Sequence, residues 1–293
     1  MYTYDVNCLL GKLEGIIQQH VEAPVWSWLL QNRIFISDSK FNTAFALVPR
    51  KVGKGILTIS KEQQVDIATI RPDFFINGWT MDRLCRVWLL LQLDASEKEE
   101  YAGKIELLFL GAEMNELVAL YSALPVLAYP QHWRKRCSEG IRSNIGDVLL
   151  AIICNNPYPA EQLDDAAWNQ MVLKAFFTEK PVHQIVGLDD RSNKDLAKIL
   201  SDYAHERWAA HRSVNPLLWR CVSPFIDEAL YPDIKKIASS TNPLEREAAL
   251  LACSKSAYLP AKELLRQYVV SQTYTDETIS WDHIAQQSAV AVA

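Results

Sequence analysis

The chain has 293 residues, enough for one large domain or two small ones, and 49% of them are hydrophobic against 22% charged. Its formal charge of −5 argues against a general nucleic-acid binder, which would carry a basic face. Only 10 glycines are present; β-rich folds use glycine at hairpin turns and bulges, so the scarcity points to helices.

The first segment, Met1 to His20, has neither a basic leader region nor an apolar core of signal-peptide length. The longest apolar runs, such as Val148 to Cys154, are too short to cross a bilayer. None of the six cysteines forms a CxxC clip, which suits free thiols in a reducing compartment. Together these features predict a cytoplasmic protein.

Helical periodicity then runs along the chain. Leu9, Leu10, Leu13, Ile16 and Ile17 form one stripe, and Trp26, Leu29, Leu30, Arg33 and Ile34 another. The segment from Gly53 to Ser60 reads as a loop with a short extended piece. Thr80 reads as an N-cap opening a helix to about Leu93. Ser96 with Glu99 reads as a capping box before a helix ending near Glu113. Helices are expected from Asn115 to Leu127 and from Asn144 to Cys154, with a proline-started basic connector from Tyr129 to Cys137 between them. Further on, helices that open on proline recur: Asn242-Pro243 with Glu245, and similarly Asn215-Pro216, Ser223-Pro224 and Lys180-Pro181. The helix after Pro243 has small and apolar residues on one face, as stacked helical repeats do. The expected fold is all-α: HEAT-like stacked helices, an α-solenoid in a single continuous domain over residues 1–285, with a frayed tail at 286–293. No strict repeat period supports a narrower assignment.

Chemical motifs are sparse. His205-Glu206 and His211 resemble a zinc-protease HExxH, but the second histidine is six positions on and falls on another helix face, so no metal is expected. Arg50, Lys51 and Lys54 beside Gly53 and Gly55 resemble a phosphate loop without matching GxxxxGK[ST]; the plainer reading is the cationic, glycine-terminated end of a helix. The basic run His132, Arg134, Lys135 and Arg136 reads first as a solvated loop, and second as a receiver for an acidic partner or phosphate. No nucleophile elbow or dinucleotide fingerprint is present, and no cofactor is expected.

Polar residues set into apolar stripes are the less ordinary feature. Asn144 and Asn155, three turns apart, would share a face with Val148 and Ala151. Asn169 lies on the stripe of Val172, Leu173 and Phe176, and His205, Trp208 and Arg212 form an i, i+3, i+7 line. Buried amides and guanidinia need partners, either in neighbouring helices or in a ligand. The candidate binding set is Asn144, Asn155, Asn169, Lys174, Asp189, Arg191, Tyr203, His205, Arg207 and Arg212. If the protein is an enzyme, His205 is its best general base, oriented by Glu206 or Asp202.

The runs AWNQMVLKAFF (167–177), IVGLDDRSNKDLAKIL (185–200) and DYAHERWAAHR (202–212) are similar to EboA-domain proteins, as are FNTAFALVPRKVGK (41–54), NELVALYSALPVL (115–127) and RSNIGDVLLAIICNNPYP (142–159). The resemblance implies a part in moving or processing a secondary-metabolite precursor, such as a scytonemin monomer. It carries no catalytic residues over. The partners it implies are other proteins of the ebo gene cluster and a lipophilic small molecule; no nucleic acid is expected, and peripheral membrane contact is left open. Three functions compete: a non-enzymatic helical scaffold, adaptor or small-molecule carrier; a cytosolic enzyme acting on a small aromatic or isoprenoid substrate through His205; and, weakest because the acidic balance opposes it, HEAT-like nucleic-acid recognition as in helical-repeat glycosylases. The enzyme reading requires His205 and at least one arginine to converge with Asn144 or Asn169 in one enclosed pocket.

Overall fold

The computed structural model describes residues 1–33, 38–271 and 279–290, and no strand forms among them. An isolated antiparallel bridge joins Ile56 to Thr80, the short extended piece expected in that loop. The contacts group the chain into two compact units, residues 1–163 and 164–293.

The first unit contains α1 (Val6–His20), α2 (Ala23–Gln31), α3 (Asp38–Val52), α4 (Lys61–Ile70), α5 (Met81–Leu90), α6 (Lys98–Gly111), α7 (Met114–Ala123), α8 (Arg134–Arg142), α9 (Gly146–Ile153) and α10 (Tyr158–Gln162). In α1, Asp5 caps the first turn by accepting from the Cys8 amide at 2.9 Å, and the stripe Leu9, Leu13, Ile16 and Ile17 is buried. Around α5, the most buried helix of this unit, pack α1, α3 and α7, and α7 in turn packs on α9. Contacts between every second helix bury α5 on nearly all sides, so its one long polar residue in the core needs internal acceptors. Arg86, 1% exposed, finds them: Nη1 donates to Asp82 Oδ2 at 2.8 Å and Nε to the Phe45 carbonyl at 3.1 Å.

Several sequence expectations shift here. Ile34, from the second apolar stripe, lies outside the described residues. Thr80 is the N-cap of α5, but without a side-chain hydrogen bond, and the helix ends at Leu90. The capping box expected at Ser96 does not form: Glu97 holds the N-cap position of α6 without a side-chain hydrogen bond, and the Ser96 amide donates to Asp94 Oδ1. Reciprocal boxes occur at Ser60–Gln63 and Glu113–Glu116. The expected connector from Tyr129 to Cys137 is helical, a 3₁₀ turn over Pro130–Trp133 running into α8. Two of its cations are paired within the unit, Arg136 donating to Glu106 and Glu139 and His132 lying within 3.7 Å of Glu106, while Arg134 and Lys135 are exposed.

The second unit contains α11 (Asp165–Phe177), α12 (Lys194–Ala209), α13 (Leu218–Val222), α14 (Tyr231–Ala238), α15 (Pro243–Lys255), α16 (Leu259–Ser271) and α17 (Trp281–Val290). Its core gathers on α15, which packs against α13, α14, α16 and α17. Asn242 caps α15 by accepting from the Leu244 amide at 3.0 Å, with Pro243 in the first turn as expected. The same device is weaker elsewhere: Pro181 and Pro224 lead only 3₁₀ turns. α17 spans 281–290 and buries Ile284 and Ala285; residues 291–293 lie outside the described part.

Candidate functional site

Two neighbouring features on α12 hold the chemistry of the second unit. The first begins with the cap of that helix. Asn193 Oδ1 accepts from the Leu196 amide at 2.9 Å, and Asn193 forms a reciprocal amide pair with Asn169 of α11. Asn169 Nδ2 donates to Asn193 Oδ1 at 3.1 Å, and Asn193 Nδ2 donates back to Asn169 Oδ1 at 2.9 Å. An isolated amide at 4% exposure would lose hydration without compensation; here the pair satisfies both side chains and fastens the start of α12 to α11. Beside it opens a groove of about 520 Å³ lined by Ala166, Asn169, Gln170, Asp195, Lys198, Ile199 and Asp202. Positions 195, 198, 199 and 202 recur at i, i+3, i+4 and i+7, one helix face. The groove presents two carboxylates, an ammonium and amides around a small apolar patch, a set suited to binding a polar-edged small molecule.

The second feature is centred on Asp233 of α14. With its proton on Nε2, His205 donates to Asp233 Oδ1 at 2.6 Å, and Ser201 Oγ donates to Oδ2 at 2.6 Å. The carboxylate is buried, whereas 55% of the imidazole surface remains exposed. Trp208 stands next to the imidazole, 5.6 Å between ring centroids, and stacks on Trp219 at 5.8 Å and 19°. Lys236 Nζ lies 3.7 Å from the centre of the Trp208 ring, a cation–π contact. The carboxylate bonded to His205 is Asp233, not Glu206 or Asp202. Residues 201, 205 and 208 share a face turned toward α14; positions 202 and 206 are rotated by about 100° from it.

The remaining candidates are dispersed. Asp189 accepts two hydrogen bonds from Arg220, Nε to Oδ1 and Nη2 to Oδ2, both at 2.6 Å; this pairing raises the guanidinium pKa of Arg220. Arg191 donates to Asp165 at 2.8 Å and lies over Trp168, 5.0 Å from the ring centre. Arg207 Nε donates to the Ser213 carbonyl at 2.9 Å, closing the chain after α12. Lys174 and Tyr203 are half-buried on their helices, and Glu206 and Arg212 are exposed. Asn144 and Asn155 belong to the first unit, are exposed, and flank α9 instead of sharing a face within it. That helix is only eight residues long, and Asn155 has left it at a φ of 51°.

Of the predicted set, only Asn169 lines the groove, and no histidine or arginine lines it. Sequence reasoning missed Asn193, Ser201, Asp233 and the groove residues Gln170, Asp195 and Lys198. The Asn193 cap was detectable, as an asparagine just before the apolar periodicity of α12; the partners across helices were not. Among the described residues, no group of three His, Cys, Asp or Glu side chains could hold a metal ion. No described helix is long and apolar enough to cross a membrane.

Neither a curated protein nor a solved structure matches the chain. A family model does, over residues 9–223, and its description is metabolite traffic protein EboA. That span covers α11, α12 and the Asn169–Asn193 pair, and stops before Asp233. The chain belongs to the EboA family.

Proposed function

We propose that this protein is a non-enzymatic binding component of metabolite traffic, holding a small molecule in the α11–α12 groove or presenting it to partner proteins of the same pathway. The observation that carries the reading is the groove itself. It is an open cavity of about 520 Å³ with mixed polar and aliphatic lining, within the span matched by the metabolite-traffic family. Hydrogen-bonding groups around a small apolar floor are the common pattern of ligand sites. The alternation of contacts among α3, α5, α7 and α9 supports a solenoid-like layering, whose faces suit extended partners. A cytoplasmic address and partners from the same gene cluster belong to this proposal.

The test is native mass spectrometry of the protein purified gently from its own host. The wild type is expected to carry a small molecule or a partner, and an Ile199→Glu variant, which places a charge on the groove floor, to lose the bound small molecule. Recovery of only the bare wild-type chain in repeated preparations sinks the proposal.

A second reading, an enzyme, lacks the convergence it required, since neither His205 nor an arginine lines the groove of Asn169, but it has one observation in its favour. His205 is held by Asp233 at 2.6 Å while its ring stays half exposed, the arrangement of an oriented general base. It would act on a small aromatic or isoprenoid substrate, with Trp208 as a stacking surface. A His205→Ala variant that folds and fully restores pathway output rules it out.

A further inference from the structure

One stretch of the first unit concentrates positive charge without compensation. Between Asp38 and Glu62 the sequence has no carboxylate, whereas Lys40, Arg50, Lys51, Lys54 and Lys61 fall there, in a chain whose net charge is −5. Arg50, Lys51 and Lys54 are exposed and form no ion pair among the described residues. Arg50 and Lys51 occupy the last turn of α3. Gly53 ends the helix at a φ of 76°, its amide donating to the Pro49 carbonyl at 3.1 Å. That much is the ordinary cationic end of a helix. The macrodipole accounts for the two cations in the last turn, but not for Lys54 beyond it or for the apolar groups at the same place.

Two apolar side chains share this end of α3. Leu57 is buried, and its backbone is pinned: its amide donates to the Trp79 carbonyl at 2.7 Å, and its carbonyl accepts from the Gly78 amide at 2.9 Å. Side chains alternate along an extended segment, so Ile56 points away from the core, and 67% of it is exposed. Trp28 of α2 lies beneath Lys51, whose Nζ is 5.7 Å from the ring centre. Helix α2 (APVWSWLLQ) has no charged residue, yet it buries only Leu29. Trp26 is turned toward Trp88, at 5.8 Å between ring centroids, while Trp28 stays half-buried under the lysine. Three unpaired cations, an outward isoleucine and a surface tryptophan are thus gathered on the end of one helix and the pinned turn that follows it.

We propose that Arg50, Lys51, Lys54, Ile56 and Trp28 form a docking surface for an anionic lipid bilayer. The charge is complementary: lysine and arginine side chains at a surface are drawn to acidic headgroups. Tryptophan favours the headgroup level, and an aliphatic side chain beside the cations gains by entering the acyl boundary. A polyanion such as nucleic acid would engage the cations alone and leave Ile56 idle. This surface lies in the first unit and shares no residue with the α11–α12 groove, so either proposal can fail alone.

The experiment is co-sedimentation of the full chain with phosphatidylcholine vesicles and with vesicles of equal parts phosphatidylcholine and phosphatidylglycerol, at low and at high sodium chloride. The wild type is expected to bind only the anionic vesicles, and to come off as salt screens the headgroups. Each basic residue near an anionic surface raises partitioning about fivefold, so Arg50→Gln, Lys51→Gln and Lys54→Gln combined should lower it about a hundredfold. Ile56→Ser should lower it about three- to tenfold with the charge unchanged. Removing the same charge from the second unit, by Lys194→Gln, Lys255→Gln and Lys262→Gln combined, should leave binding as it was. An equal loss in that control would assign the effect to net charge and overturn the proposal. A wild type that sediments with neither vesicle overturns it too, as does one that binds both equally. Tighter retention on heparin than on anionic vesicles, with Ile56→Ser unaffected, marks a polyanion site and also counts against it. Should the first triple variant not fold, an Ile56→Ser chain that binds anionic vesicles as well as the wild type is itself decisive against the surface.

Discussion

Glu161 accepts two hydrogen bonds from Arg71, Nη1 to Oε1 at 2.8 Å and Nη2 to Oε2 at 2.6 Å, between residues 90 positions apart in the chain. Arg71 also donates from Nε to the Pro125 carbonyl at 2.8 Å. One guanidinium thus ties the end of α4 to the turn after α7 and to α10. Arg71 is 7% exposed, and Glu161 keeps 38% of its side-chain surface in water. Partial exposure weakens the pair relative to a fully buried one. Arg71→Met should therefore destabilise the protein by roughly 1–3 kcal/mol, largely by stranding the Pro125 carbonyl. Glu161→Gln, which keeps one acceptor, should cost less. Urea unfolding of the two variants reads the difference; equal losses would mean that the carbonyl contact contributes little.

The Asn169–Asn193 pair should behave as one unit. Asn193→Ala removes the cap of α12 as well as the amide pair, and caps contribute about 0.5–2 kcal/mol. Asn169→Ala removes only the pair. A double-mutant cycle is expected to show coupling on the order of 1 kcal/mol, and additive losses would contradict the reciprocal geometry. Because Asn169 also lines the groove, its replacement should weaken any groove ligand as well.

The legible parts of this fold were those in which a local signal coincides with the tertiary one. The α1 stripe and the Asn242-Pro243 start of α15 are such cases: the apolar spacing and the cap lie in one short segment, and packing reinforces both. α4 was missed because KEQQVDIATI buries only Ile67 and has little apolar periodicity; the box of Ser60 and Gln63 starts it instead. Pro181 and Pro224 were overread. Proline tolerates a first helical turn but does not supply the apolar run that continues it. At the candidate site, His205 and Asn169 could be singled out as polar residues on apolar stripes. Their partners, Asp233 at 28 positions and Asn193 at 24, are brought in by helix packing, which no short-range pattern encodes.

Alkaline pH should destabilise the protein. Burial raises the thiol pKa of Cys253 to about 11 and that of Cys221 to about 12, and raises those of Cys85 and Cys137 further. In the unfolded chain a thiol ionises near 8.5. Above that pH the folded state holds protons that the unfolded state releases, so stability is intact below about pH 8.5 and is lost as pH rises toward the folded values. Each buried thiol contributes a slope of up to about 1.4 kcal/mol per pH unit in that window. Buried tyrosines, including Tyr121 with its pKa raised to about 12 by desolvation, extend the loss above pH 10. Urea midpoints at pH 7.5 and 9.5 check the sign, and an unchanged or higher midpoint at pH 9.5 would refute it.

Two helical glycines should respond to alanine with opposite signs. A Cβ at Gly140 of α8 would lie 2.5 Å from Ile152 Cδ1 and 2.5 Å from Tyr121 Cε1. Those atoms come from α9 and α7, so relief requires a buried ring and a buried aliphatic chain to move together. Overpacking of this kind costs typically 1–3 kcal/mol, against a gain of about 1 kcal/mol from replacing a helical glycine; Gly140→Ala should be a net loss. At Gly103 of α6 the added Cβ meets nothing within 4 Å, so only the propensity gain remains and Gly103→Ala should raise stability by up to about 1 kcal/mol. Thermal unfolding of the two variants side by side separates the effects. A stabilised Gly140→Ala would mean that α8 can draw away from α7 and α9 at little cost, and that their close approach at this glycine is not what holds the three helices together.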